Sequence, residues 1–174
     1  MPRTRPTRRA AAHLLLGAAL LFGTFACSDD KDTKTYKDKD GNEISVSDDG
    51  EKVSVSTPDG EVEASSGSSA KLPEGWPAKL ALPDGAVVQS GMSLDGGKQK
   101  TVIALVEDGD VADLQKTFKS IFEDAGYEID SDNMVDTGDG AMASVSGSAE
   151  GEEVAVSITN GDEGTTVAIS VRTD

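Results

Sequence analysis

The stretch Asp110-Val111-Ala112-Asp113-Leu114-Gln115-Lys116-Thr117-Phe118-Lys119-Ser120-Ile121-Phe122-Glu123-Asp124-Ala125-Gly126 is the pivot of the chain. Val111, Leu114, Phe118, Ile121, Phe122 and Ala125 recur at i, i+3, i+4 spacing, which predicts a helix from Val111 to Ala125 with one apolar stripe. Asp110 supplies a side-chain acceptor for the free N–H groups of the first turn. Gly126 supplies the residue that ends the helix at no steric cost. Gln115, Lys116, Lys119 and Glu123 fall on or near the opposite side and face water.

On either side of this helix the period changes to two. Ala86 to Leu94 and Gln99 to Glu107 read as strands joined by a turn at Asp95-Gly96-Gly97. After Gly126, Tyr127 and Ile129 begin a short strand. Met142 to Ser148, Glu152 to Thr159 and Thr165 to Thr173 follow, with turns at Glu150-Gly151 and Asn160-Gly161. Val154, Val156 and Ile158 share one face, as do Val167, Ile169 and Val171. The expected fold is therefore an α+β two-layer sandwich over 86–174. One amphipathic helix lies on an antiparallel sheet in the order strand-strand-helix-strand-strand-strand, with a possible further strand.

Upstream, an Asp-Gly repeat runs from 38 to 64. Asp40-Gly41, Asp49-Gly50 and Asp59-Gly60 each precede a short alternating run, the pattern of tight hairpins. Ile44 and Val46, Val53 and Val55, and Val62 and Ala64 fall on one face. The expectation is a small β-meander or a disordered spacer. Residues 65–85 read as a Ser/Gly linker followed by an irregular stretch containing Pro73, Pro77 and Pro83. Residues 28–37 alternate charge without apolar periodicity and read as a flexible tether.

The first 26 residues are of another kind. Arg3, Arg5, Arg8 and Arg9 precede an apolar run from Ala10 to Ala26, interrupted by His13 and Thr24. That run is short for a permanent span, which needs about 20 apolar residues, and has the layout of an export signal. Arg8-Arg9 is followed by Ala10-Ala11-Ala12, a poor match to twin-arginine export. The run stops at Cys27, immediately before Ser28-Asp29-Asp30-Lys31-Asp32. On these residues the chain resembles bacterial lipoprotein precursors, and the 70–174 region is similar to small domains of actinobacterial lipoproteins. Ala26 and Cys27 match the lipoprotein pattern, whereas Thr24 and Phe25 depart from it. The resemblance implies cleavage between Ala26 and Cys27, acylation of Cys27 and a place on the outer face of the cell membrane. Two acyl chains would hold a protein there stably where one would not. Thr24-Phe25-Ala26 also fits ordinary secretory cleavage, which would leave the thiol free.

Composition narrows the chemistry further. The chain has 32 acidic and 16 basic residues and a formal net charge of −16. Loss of the four N-terminal arginines would take this to −20. Such a surface repels nucleic acid, so no nucleic-acid partner is expected. The single histidine, His13, lies in the expected signal, and Cys27 is the single cysteine. Histidine-based triads and Cys/His metal sites are thus unavailable after cleavage. No catalytic residue, metal ligand or cofactor is assigned.

The remaining candidates have ordinary explanations. Asp38, Asp40 and Asn42 resemble the start of a calcium loop, but glycine falls at the fourth position where the sixth is needed, and a hairpin turn explains them. Asp130, Asp132, Asp136 and Asp139 read as a solvated acidic loop. Trp76 reads as a lid over a core edge. Lys71, Lys79, Lys98 and Lys100 are too sparse for a binding patch. The functional expectation is a lipid-anchored, non-enzymatic interaction module with an envelope protein partner. The alternative is a lipoprotein that binds cations or a small ligand through its acidic loops.

Overall fold

A computed structural model describes residues 33–174, except Asp40, Pro58, Asp59, Thr137 and Asp139. The expected signal, the cleavage site and Cys27 lie outside the described residues.

The strands are β1 (Thr33–Lys37), β2 (Glu43–Ser47), β3 (Lys52–Thr57), β4 (Gly60–Ser66), β5 (Val87–Leu94), β6 (Gln99–Val106), β7 (Glu128–Asp136), β8 (Ala141–Ala149), β9 (Glu152–Gly161) and β10 (Gly164–Thr173). The helix α1 spans Val111–Asp124. All ten strands form one sheet in the order β1-β2-β3-β4-β5-β6-β10-β9-β8-β7, antiparallel throughout.

This overturns the expected two-layer α+β sandwich. The described residues form one large antiparallel sheet carrying a single α-helix. Dimensions explain the difference. Ten strands about 4.8 Å apart span roughly 43 Å, whereas a helix of this length is about 21 Å long and 10 Å across. The helix packs against β7, β8 and β9 and leaves most of the sheet to other neighbours or to water. The meander, expected as a separate unit or spacer, is continuous with the rest because β4 pairs with β5.

Several local expectations also change. Thr33–Lys37, read as tether, forms β1 and pairs with β2. Ser65 and Ser66, read as linker, belong to β4, and Gly67–Ser69 form a tight 3-10 turn. The acidic segment after the helix is a nine-residue strand, β7, and not a loop. The β9–β10 turn lies at Asp162-Glu163, two residues beyond the expected Asn160-Gly161. Gly164 sets that position. Its φ is +129°, and a Cβ there would come within 2.9 Å of the Glu107 Cα.

The two sheet faces differ. On one, called here the covered face, Val102, Ala104, Val167, Ile169, Val154, Val156, Ile158, Ala143 and Val145 are buried. Val111, Leu114, Phe118 and Phe122 of α1 pack onto this core. Leu80, with Trp76 and Leu82 from the proline-rich segment, joins the same core. Asp110 caps the helix by accepting from the Asp113 N–H at 3.0 Å, and Gly126 follows it with φ +81°.

Candidate functional site

The proline-rich segment crosses the covered face as a strap. Gly91 of β5 makes the crossing possible: a Cβ at this position would lie 2.1 Å from the Lys71 carbonyl oxygen. Ser65 fixes the same point, its hydroxyl oxygen accepting from the Lys71 N–H at 3.3 Å. Further along, the Trp76 Nε1–H donates to the Leu80 carbonyl at 3.0 Å. The indole is thereby held at the core edge, half-buried.

Between this strap and the polar half of the covered face lies a cleft of about 280 Å³. The register places Ser45, Ser54, Glu63 and Ser93 side by side across β2, β3, β4 and β5. Lys52, Ser47 and Thr33 line the same floor, and Lys71, Leu72, Pro73 and Glu74 form the wall. Its character follows from the alternation in the Asp-Gly repeat. Valine and isoleucine point away from it, so serine, lysine and glutamate are left to face it.

Several of the hydroxyl groups here are tied to one another, to backbone or, for Ser47, to the Asp49 carboxylate. The Ser45 and Thr35 hydroxyls are 3.1 Å apart, and the Ser47 hydroxyl accepts from the Lys52 N–H at 2.9 Å. This is a surface of paired donors and acceptors with an apolar lip, suited to holding a polar, extended ligand. Sequence reasoning missed it, because the residues that line it come from five strands and a linker. The available signal was the serine alternation in the repeat.

The other candidates are dispersed. In the β1–β2 turn, the Asp38 carboxylate accepts from the Asn42 N–H at 3.0 Å and from Asn42 Nδ2 at 2.8 Å, and Asp40 lies outside the described residues. On β7, Asp132 is bonded by Lys119 and Gln115 of α1. The Asp136 carboxylate accepts from the Gly138 N–H at 2.9 Å, and Asp139 lies outside the described residues. Among the described residues no group of carboxylates, histidines or cysteines has the arrangement of a metal site. The four lysines also separate. Lys71 reaches the cleft, and Lys100 donates to the Gly97 carbonyl. Lys79 pairs with Glu152 at 3.2 Å and sits 4.1 Å over the Tyr127 ring. The Tyr127 hydroxyl donates to Glu152, so Lys79, Glu152 and Tyr127 latch the strap to β9 and to the end of α1.

No protein-family model, no curated protein and no solved structure matches the chain. Among the described residues no helix is long and apolar enough to cross a membrane.

Proposed function

We propose that the mature chain is a lipoprotein anchored through Cys27 to the outer face of the cell membrane, where it serves as a non-enzymatic interaction module. The observation that carries this reading is the junction itself. A basic head and an apolar run end at the single cysteine, and the first strand begins six residues later. The cleft supports the second half of the reading. The Ser45 hydroxyl meets that of Thr35, the Ser65 hydroxyl accepts from the Lys71 N–H, and the Ser47 hydroxyl accepts from the Lys52 N–H and donates to the Asp49 carboxylate. The described part of the chain carries no histidine to activate a serine as a nucleophile. A cleft of this kind holds a partner, here an extended segment of an envelope protein, by shape and hydrogen bonding.

Three measurements test the reading. The mass of the mature N-terminal peptide should show cleavage after Ala26 and diacylglycerol on the Cys27 Sγ. A Cys27→Ala chain should leave the membrane fraction. A bare thiol on a protein found wholly in the medium would sink the anchor. A photo-reactive residue at Ser54 in the cleft should cross-link one envelope protein in living cells, whereas the same probe at Lys116 on α1 should not. Equal labelling from both positions would sink the cleft as the binding surface.

A further inference from the structure

The face of the sheet opposite the helix is bare, and its composition is unlike the rest of the molecule. Cross-strand register arranges it in rows. One row runs Tyr36, Ile44, Val55, Val62 across β1 to β4, and another runs Leu94, Gln99, Arg172, Glu153, Ser148, Glu128 in sheet order from β5 to β7. The next contains Lys34, Val46, Val53, Ala64, Met92, Thr101 and Ser170. A further row contains Ser90, Ile103, Ala168 and Ser157. Charged side chains at these positions are confined to Lys34, Arg172, Glu153 and Glu128. Lys34 is spoken for by Asp48 at 2.9 Å, and the other three sit in one corner. In a chain that is 28% charged, this is a large neutral plate.

Over β1 to β6 the plate is also apolar. Ile44 is 37% exposed, Met92 38%, Ile103 39% and Tyr36 50%, and Val53, Val55 and Val62 are half-buried. Among the described residues, the one α-helix packs against β7, β8 and β9 and not against β1–β6. The strap and α1 both lie on the covered face.

We infer that this apolar plate is the interface of a symmetric homodimer, β1–β6 of one copy packing face to face on β1–β6 of another. Three observations choose this occupant. The first is area. Six strands about 4.8 Å apart, averaging about 22 Å long, present roughly 600–700 Å² per copy. Paired, they bury about 1,200–1,400 Å², which reaches the size range of specific interfaces. The second is charge. The acids lie on the turns and the opposite face, so two strongly acidic copies can meet on this plate without opposing carboxylates. The third excludes a lipid surface. The patch has one exposed aromatic, Tyr36, and the turns at its ends mix Asp38, Asp48, Asp49 and Asp95 with Lys39 and Lys98 in place of the purely basic rim that anionic headgroups attract. Sheet-on-sheet packing then gives the plate the second layer that the helix does not provide. This inference stands independently of the anchor and the cleft.

The test uses the full-length chain. Sedimentation should show a monomer–dimer equilibrium that tightens as salt rises, because screening removes the long-range repulsion between acidic copies. Met92→Glu, at an exposed position, should weaken association at least tenfold while the circular dichroism spectrum and, at concentrations where the parent is monomeric, the melting temperature stay as in the parent. In intact cells, Val55→Cys should be joined to its twin by a bis-maleimide about 10 Å long, matching the spacing of packed sheets. Ser54→Cys, on the opposite face of the same strand, should not be joined. The unsubstituted chain reports Cys27 by itself: its cross-linking would show a bare thiol and count against the anchor without touching the dimer. A monomer at all concentrations in high salt, a dimer indifferent to Met92→Glu, or equal cross-linking at Ser54→Cys would overturn the inference. So would a monomer that binds neutral vesicles with Val55→Cys shielded, in favour of a lipid surface.

Discussion

Gly91 and Lys71 are in backbone contact: the site where a Gly91 side chain would begin is 2.1 Å from the Lys71 carbonyl oxygen. The obstacle is main chain, so no rotamer change relieves it. This contact sets how closely the strap lies on β5 and therefore forms one end of the cleft.

Gly91→Ala should accordingly cost about 2–3 kcal/mol, toward the upper part of the usual range for overpacking. Gly140→Ala, where a Cβ meets nothing within 4 Å, should change stability by less than about 0.5 kcal/mol. Urea unfolding of the two variants side by side checks the pair, and equal midpoints would contradict the crossing geometry.

The two faces of the sheet should respond differently to truncation. Phe122 is fully buried between α1 and the covered face. Phe122→Ala should cost about 3–5 kcal/mol through lost transfer energy and the cavity left behind. Val55 faces the bare plate, and Val55→Ala should cost less than about 1 kcal/mol at concentrations where the chain is monomeric. Denaturant midpoints read both values.

The helix start gives a smaller effect. Asp110→Ala removes the acceptor for the Asp113 N–H and should lower stability by about 1 kcal/mol. Asp110→Asn, which keeps an acceptor oxygen, should recover most of the loss. Thermal melts of the two variants provide the comparison.

Glu51 supplies a pH-dependent contact. Its carboxylate accepts from the Ser68 hydroxyl at 2.6 Å, the Ser68 N–H at 3.0 Å and the Ser69 N–H at 2.9 Å. Bonding to the Ser68 hydroxyl, and then to the Ser68 N–H, holds its pKa below the ordinary 4.5. A depressed carboxylate pKa stabilises the fold above the unfolded value, and that contribution disappears as pH falls through the folded one. The Ser68 and Ser69 amide protons should therefore titrate with a midpoint below 4.5. A midpoint at or above that value in NMR spectra would refute the contact.

Much of the local structure was legible in the chain. The helix showed itself through its stripe, its Asp110 cap and its Gly126 stop. β8, β9 and β10 showed themselves through alternating β-branched residues. The order of strands was not legible, because β10 enters between β6 and β9 and a period of two carries no record of which neighbour a strand chooses. The start of β7 at Ile129 was read as a short strand, but the rest of it was hidden for a different reason. As an edge strand exposed along nearly its whole length, it needs no apolar alternation, and its acids looked like a loop. The cleft was hidden because its residues span 60 positions, and the β1–β4 floor meets Gly91 and Ser93 only through the β4–β5 pairing.

The early start of β1 has a consequence for how the molecule operates at a surface. Only Ser28 to Asp32 separate Cys27 from Thr33, a leash that reaches about 20 Å at full stretch. Under the anchored reading, every copy patrols the same thin shell above the bilayer, and encounters become two-dimensional. Crowding of that kind raises the effective concentration far above the bulk value. A self-affinity too feeble to notice in dilute solution would then suffice to keep neighbouring copies paired.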